Sequence, residues 1–171
     1  MTPRERVVAA LNHEEPDRVP IDLGGILASI NTYTYEPLLA DVGIHDGKSD
    51  AVISEEWSTV PKPSEKLLEK WNVDFRRVWL GSPDNYEPIV DKEEQTTIDE
   101  WGLTWKRFGR YNEFINPPLE GADISDVLAY DFPDTDDPGR YRGLEEWVRS
   151  LYDDTDYAVV AGHSMFGVFE L

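Results

Sequence analysis

Hydrophobic positions recur at helical spacing in the opening segment of the chain. Val7, Val8 and Leu11 mark one side of this segment, as the buried face of an amphipathic helix does. Thr2 is a suitable N-cap directly before a proline, and Pro16 interrupts the pattern. The pattern therefore predicts a helix that begins near Thr2 and ends before Pro16.

Four further stretches carry apolar residues at the same spacing. They cover residues 33–39, the segment after the N-cap Ser64, the segment after Asp123, and residues 137–151. The last of these helices is followed at once by an apolar run, which is the order of elements in a crossover between parallel strands. We therefore expect helices that connect and cover strands.

Contiguous apolar runs predict strands that are buried on both faces. The strand candidate at residues 75–80 contains the contiguous run Val78–Leu80, and a second candidate covers residues 157–161. A shorter extended run covers residues 19–23. The proline-rich residues 61–63 predict a loop. The order of strands and helices predicts an α/β fold in which the strands pair in parallel.

The middle of the chain changes to a period of two, which predicts a half-buried strand. Between Thr96 and Arg107, the residues Trp101, Leu103 and Trp105 alternate with polar positions. Tyr111–Ile115 then returns after a turn. This pattern predicts an antiparallel hairpin whose core face consists of the two tryptophans and the leucine.

Composition restricts the partners and the cofactors of this chain. Its 171 residues carry a net charge of −19, from 35 acidic and 16 basic residues, so nucleic acid and an anionic membrane surface are unfavourable partners. The absence of cysteine excludes disulfides and any thiolate site for zinc within the chain. Neither a signal-peptide core nor a run of about 18 apolar residues is present, so we expect a cytoplasmic protein that does not enter membranes.

Four stretches, taken in order, resemble the uroporphyrinogen decarboxylase superfamily. The first has the sequence MTPRERVVAALNHEEPDRVP over Met1–Pro20, and the others are Asp99–Gly102, Asp137–Tyr141 and Val159–Glu170. Within the superfamily, the chain is most similar to the branch grouped with cobalamin-dependent methyltransferases. No single stretch is decisive, but their order along essentially the whole chain is specific.

The resemblance implies a (β/α)8 barrel, a fold of roughly 250 residues. The chain offers three candidates for barrel strands, at 19–23, 75–80 and 157–161. We therefore expect residues 1–171 to form the N-terminal half of one domain, a partial (β/α)8 TIM-type barrel with an inserted antiparallel hairpin. Such a half would be inactive alone. It would associate with a C-terminal half or with a second copy, because its strand edges are left unpaired.

The same resemblance locates a small-molecule site, because barrel enzymes bind their substrates at the carboxyl ends of the strands. Asp22, Gly24 and Gly25 come at the end of the first strand, and Trp79 lies at the end of the second. We expect these four residues to bind substrate. The alternative for Asp22 and the glycines is a plain turn, in which glycine provides backbone freedom.

His163 and Ser164 come directly after the third strand. His163 is the candidate catalytic residue, as a general base or as a group that binds a carboxylate, and Ser164 is a further candidate for substrate binding. The alternative is a structural histidine. His13 lies at a helix end and His45 in a polar loop, so we expect surface roles for both.

The resemblance leaves three functions open. The first is an N-terminal fragment of a methyltransferase-type enzyme, whose full-length parent would bind zinc in its other half and work with a corrinoid protein, while this chain would hold neither metal nor cofactor. The second is uroporphyrinogen decarboxylase of porphyrin biosynthesis. Against it, Leu23–Ala28 lacks the arginines that grip the substrate carboxylates in that enzyme. The third is a non-catalytic binding or interaction module.

Overall fold

A computed structural model describes residues 1–25, 28–46, 51–54, 59–109 and 111–162. These residues form two units. The first unit comprises the described residues up to Leu80 together with those from Gly143 onward, and the second unit runs from Gly81 to Arg142. The described part of the chain is mixed α/β, with one parallel sheet and two antiparallel sheets, none of them closed into a barrel. No helix within it is long and apolar enough to cross a membrane.

Side-chain caps begin three of the described helices at Thr2, Ser64 and Asp123, as the sequence predicts. The described helices are α1 (Pro3–Leu11), α2 (Thr32–Asp41), α3 (Glu65–Lys70), α4 (Ile124–Ala129) and α5 (Leu144–Asp154), with a 3-10 turn at Pro138–Tyr141. Thr2 and Glu5 form a reciprocal capping box at the start of α1, and Ser64 caps α3. The predicted helix over 137–151 is interrupted, because Gly143 adopts a left-handed conformation between the 3-10 turn and α5.

The strands fall into three sheets. They are β1 (Ile30–Asn31), β2 (Val52–Ser54), β3 (Thr59–Lys62), β4 (Phe75–Val78), β5 (Ile89–Asp91), β6 (Thr96–Ile98), β7 (Thr104–Phe108), β8 (Tyr111–Asn116) and β9 (Ala158–Ala161). The parallel sheet consists of β4 and β9, which pair from Phe75 opposite Ala158 to Val78 opposite Ala161. This pairing confirms the strands predicted within 75–80 and 157–161 and their parallel orientation. Helix α5 packs against both strands, and α1 packs against β9.

The prediction of a strand at residues 19–23 is wrong. This segment is extended, but Pro20 has no N–H to donate, and the N–H of Ile21 donates to the Asp74 side chain at 2.7 Å instead of to a backbone carbonyl. A single backbone bond, from the Asp74 N–H to the Ile21 carbonyl at 2.9 Å, joins it to the residue before β4. The segment therefore borders the parallel sheet without becoming part of its hydrogen-bonded ladder.

The prediction of a loop at residues 61–63 is also wrong for Pro61 and Lys62, which belong to β3. This strand is the central strand of the antiparallel sheet β1–β3–β2. Pro61 is tolerated there because the register with β2 shifts between the pairs Val52–Lys62 and Ser54–Thr59. Val60 is fully buried and packs with residues of α2 and α3, which gives the first unit its hydrophobic core.

The second unit contains a four-stranded antiparallel sheet in the order β5–β6–β7–β8. The predicted hairpin is confirmed as β7 and β8, but the stretch from Thr96 to Arg107 is two strands. Asp99 breaks it, because its carboxylate accepts hydrogen bonds from the N–H groups of Trp101 and Leu103. Leu103 and Trp105 are buried, as the alternation predicts, whereas Trp101 lies in the turn and is only half-buried.

Candidate functional site

Two contacts of the first unit lie near the ends of β4 and β9: Arg77 contacts Asp22 and Gly25, and Trp79 contacts Gly162. We call Asp22, Gly25, Arg77, Trp79 and Gly162 the strand-end cluster. Arg77 is on β4, and Trp79 and Gly162 directly follow β4 and β9. Asp22 lies in the segment 19–23 that borders β4, and Gly25 comes just after that segment. The N–H of Gly162 donates to the Val78 carbonyl at 2.6 Å, which extends the parallel pairing to the level of the cluster. Three of the four residues predicted to bind substrate after the first two strands therefore belong to one cluster.

The two faces of β4 differ in what they contact. Arg76 is buried, donates to the Glu65 carboxylate of α3 at 2.5–2.9 Å, and lies over the Tyr157 ring at 3.5 Å. Because side chains alternate along a strand, Arg77 and Trp79 lie on the opposite face from Arg76. The cluster thus occupies the face that points away from α3.

Arg77 forms an ion pair with Asp22. Its Nη2 donates to the Asp22 carboxylate, and the two side chains are 19% and 33% exposed. No local sequence pattern identifies Arg77 as a site residue, because its partner Asp22 is 55 positions away in the chain. The available signal was a basic residue inside an apolar run, two positions before Trp79. Arg77 places a cation beside the segment in which the sequence lacks arginine.

Gly25 lets the backbone lie against the Arg77 guanidinium. Its φ is +73°, and a Cβ built on it would lie 3.1 Å from both Cζ and Nε of Arg77. A side chain at this position would be strained and would also press on the arginine. Gly24, in contrast, has a turn role: its N–H donates to the Ala28 carbonyl at 2.9 Å, so its own contacts support the plain-turn alternative.

Trp79 lies directly over Gly162. A Cβ on Gly162 would fall 2.3 Å from Cδ2 of the indole, closer than any real contact of this kind. The Nε1–H of Trp79 is buried and has no hydrogen-bond partner among the described residues, and the same holds for the Nε–H of Arg77. Buried donors without acceptors are uncommon in folded proteins. This cluster contains two of them, one on β4 and one directly after it.

A buried carboxylate fixes the segment that carries Asp22. Asp74 is fully buried and accepts hydrogen bonds from Arg6, from Arg18 at 2.8 and 2.9 Å, and from the N–H of Ile21. Two guanidinium groups neutralise and saturate this carboxylate, as a buried charge requires. The bond to Ile21 places Asp22 beside β4, so Asp74 positions the cluster from a distance.

Arg6 also binds Asp17, which extends the same network to the surface. The Arg6 guanidinium donates to both Asp17 oxygens, at 2.5 and 2.9 Å. This hydrogen bonding holds the pKa of Asp17 well below its ordinary value, against the smaller opposing effect of desolvation. The network therefore joins α1, the segment at 17–21 and the residue before β4 through paired charged side chains.

The second unit has its own buried carboxylate, Asp137. It accepts the N–H groups of Asp84 and Gly139 at 2.8 Å and the side-chain amide of Asn85 at 3.2 Å. Hydrogen bonding from the Asp84 N–H, opposed by desolvation, lowers the pKa of Asp137 below its ordinary value. Asp137 therefore caps the 3-10 turn at Pro138–Tyr141 and ties it to the loop that contains Asp84 and Asn85.

The remaining sequence candidates are distributed as follows. His163 and Ser164 lie outside the described residues. His13 and His45 are exposed, as expected for surface residues. Among the residues that the structure describes, no three His, Cys, Asp or Glu side chains form a group that could hold a metal ion.

Comparisons of the chain with protein-family models, with curated proteins and with solved structures found no match in any of the three. A function for this chain must therefore be inferred from its own geometry. The strand-end cluster provides two buried N–H donors and one guanidinium–carboxylate pair. N–H donors of this kind are able to bind a hydrogen-bond acceptor.

Proposed function

We propose that this chain is the N-terminal portion of a uroporphyrinogen-decarboxylase-like barrel enzyme, of the cobalamin-dependent methyltransferase type. In this proposal Asp22, Gly25 and Trp79 supply substrate-binding groups beside the carboxyl ends of the parallel strands, and Gly24 forms the turn next to Gly25. His163 and Ser164 follow β9 in the sequence and complete the contribution of this chain. The rest of the barrel supplies the remaining catalytic groups, so the chain alone is inactive.

The observation that carries the proposal is the order of three neighbouring segments. β9 pairs in parallel with β4, and α5 packs on both strands, as a crossover helix does. Residues 18–23 border β4, and their contacts advance in the same direction along both segments, joining Arg18 to Asn72, Ile21 to Asp74 and Asp22 to Arg77. Three successive segments that run side by side in chain order are the repeating arrangement of a (β/α)8 barrel.

The uncovered edges of this arrangement support a missing partner. Among the described residues, β4 and β9 form a sheet of two parallel strands, whereas parallel sheets are ordinarily larger and covered on both faces. On the bordering segment, Val19 is 80% exposed and Ile21 is 42% exposed. In a closed barrel this segment would lie against a strand of the other half, which would bury such apolar side chains.

The described residues do not fit a zinc site. The chain has no cysteine, and its described residues contain no group of three side chains that could ligate a metal. The proposal therefore assigns zinc to the other half of the parent enzyme and the corrinoid to a separate partner protein. No step of the reaction is assigned to a metal held by this chain.

Decarboxylation of a porphyrinogen is the second candidate, and Arg77 is the observation in its favour. A substrate with many carboxylates needs several fixed cations. The strand-end cluster provides one guanidinium, which already binds Asp22. This balance of charge counts against a substrate with many carboxylates, and so against the decarboxylase.

Co-expression tests the proposal. The chain is produced together with the coding sequence that follows it in the genome, and the purified product is analysed for composition, zinc and activity. A stoichiometric complex that contains zinc and transfers a methyl group from methylcobalamin to a thiol is the expected result. Formation of coproporphyrinogen from uroporphyrinogen would support the decarboxylase instead. A chain that purifies as a stable monomer without a partner would contradict both and favour a non-catalytic binding module.

A further inference from the structure

We propose that Arg77 and Trp79 together bind the carboxylate group of a small organic acid. The Nε–H of Arg77 and the Nε1–H of Trp79 are the two donors. The proposal rests on the proposed function only for the place of this site within an enzyme. Binding itself requires groups that the described residues already bring together.

The positions of the two donors make a shared ligand feasible. Arg77 is on β4 and Trp79 directly follows it, at the level where the bond from the Gly162 N–H to the Val78 carbonyl continues the parallel pairing. Because side chains alternate along an extended chain, the two side chains project from the same face with backbones about 7 Å apart. Both donor atoms are buried and lack an acceptor among the described residues. A buried N–H that remains unpaired costs free energy, so an acceptor placed between these side chains would relieve two unfavourable groups at once.

Each donor side chain packs against the backbone of a glycine. The Arg77 guanidinium lies against Gly25, and the Trp79 indole lies against Gly162, with no room for a β-carbon in the second case. Asp22 binds Nη2 of Arg77 and leaves the Nε–H unused. The donors are therefore fixed before the ligand arrives, which reduces the entropy that binding must overcome.

The charge of the site indicates a carboxylate in preference to a phosphate. A guanidinium donates most strongly to an anionic oxygen, so a charged acceptor is favoured over a neutral carbonyl. Asp22 already cancels one positive charge, and the chain as a whole carries −19. A phosphate with nearly two negative charges would be repelled more strongly by these surroundings than a carboxylate with one.

Saturation-transfer NMR on the methyl protons of the ligand tests this proposal directly. The probes are acetate and methyl phosphate, each titrated against the 171-residue chain at constant ionic strength. The test variants are Arg77→Lys, which keeps the charge but loses Nε–H, and Trp79→Phe, which keeps a ring but loses Nε1–H. Trp105→Phe is the matched control, because the Trp105 indole N–H already donates to Asp99 at 2.8 Å. Circular dichroism confirms that each variant folds.

We expect saturable binding of acetate to the unaltered chain and to Trp105→Phe, and binding about tenfold weaker in each test variant, as the loss of one charge-assisted hydrogen bond implies. Acetate binding that is absent, or that is unchanged in both folded test variants, would overturn the proposal. Tighter binding of methyl phosphate than of acetate would overturn the choice of a carboxylate. The measurement uses the chain alone, so its outcome is separate from whether a second half-barrel is found.

Discussion

The indole of Trp79 covers Gly162 so closely that a β-carbon on the glycine would lie 2.3 Å from Cδ2 of the ring. The two residues directly follow the last paired residues of β4 and β9, so this contact lies at the end of the parallel pair, within the strand-end cluster. Glycine is required here by the space available. Its backbone lies outside the left-handed region, so the contact with the ring is the whole constraint.

Replacing Gly162 with alanine should therefore destabilise the first unit. Overpacking of this kind costs about 1–3 kcal/mol, because the ring or the strand must move. Equilibrium unfolding in urea measures the loss. The control is the same substitution in a Trp79→Ala background, where the penalty should largely vanish. An equal penalty in both backgrounds would show that the ring is not the cause.

The network around Asp74 makes a stronger prediction. Asp74→Asn keeps the shape of the side chain but leaves two guanidinium groups without their buried anion. Breaking a buried ion pair in this way costs about 3–5 kcal/mol. We expect the unfolding midpoint of the first unit to fall sharply in urea. Asp46→Asn is the matched control, because the Asp46–Lys66 pair is exposed and should contribute little. Similar small changes in both variants would contradict a central role for Asp74.

The lowered pKa of Asp137 implies that the stability of the second unit depends on pH. Its pKa is lower when folded than when unfolded, so its contribution to stability is present above the unfolded value of about 4 and is lost as the pH falls further. The second unit should therefore weaken below about pH 4. Tryptophan fluorescence during urea unfolding, recorded on a variant that keeps only Trp101 and Trp105 of the second unit, measures this at each pH. In Asp137→Asn, stability at pH 7 should be lower and the decline below pH 4 shallower. A decline of equal slope in both proteins would assign the acid sensitivity to other groups.

Zinc content gives a simple prediction about the isolated chain. With no cysteine in the sequence, and no suitable group among the described side chains, the purified protein should contain no stoichiometric zinc. Elemental analysis after dialysis against a metal-free buffer measures this, with a chelator-treated sample as the baseline. One tightly bound zinc ion per chain would contradict the assignment of the metal to the other half.

The elements that the sequence predicts well are those with a strong local signal. Neighbouring residues alone predict the strands within 75–80 and 157–161, because each contains an apolar run. They also predict the start of α1, because Thr2 caps the turn that follows it directly. The strand at 19–23 fails for a non-local reason. Asp74, more than 50 positions away, takes the N–H of Ile21 that a strand neighbour would otherwise receive. A similar limit applies to the turn at Asp99, whose side chain breaks an apparently continuous alternation.

The candidate site was predictable only in part, for the same reason. The rule for barrel strands directed attention to Asp22, Gly25 and Trp79, which the structure brings together. Arg77 was not predicted to belong to the site, because a basic residue in a strand is typical of a solvent-exposed position unless its partner is known. Gly162 carries no local sequence signal for its contact, because the Trp79 ring that occupies the space beside it is distant in the chain.

The association state of the purified chain tests the half-barrel account most directly. The exposed apolar side chains at Val19 and Ile21 and the open edges of the parallel pair favour association, since burial gains about 25 cal/mol per Å² of apolar surface. Repulsion from the net charge of −19 opposes it, but salt at 0.1 M screens exposed charges beyond about 10 Å. Light scattering across a range of salt concentrations should therefore show dimers or larger species at moderate salt, or a complex with a second chain. A stable, cooperatively folding monomer at every salt concentration would contradict the account.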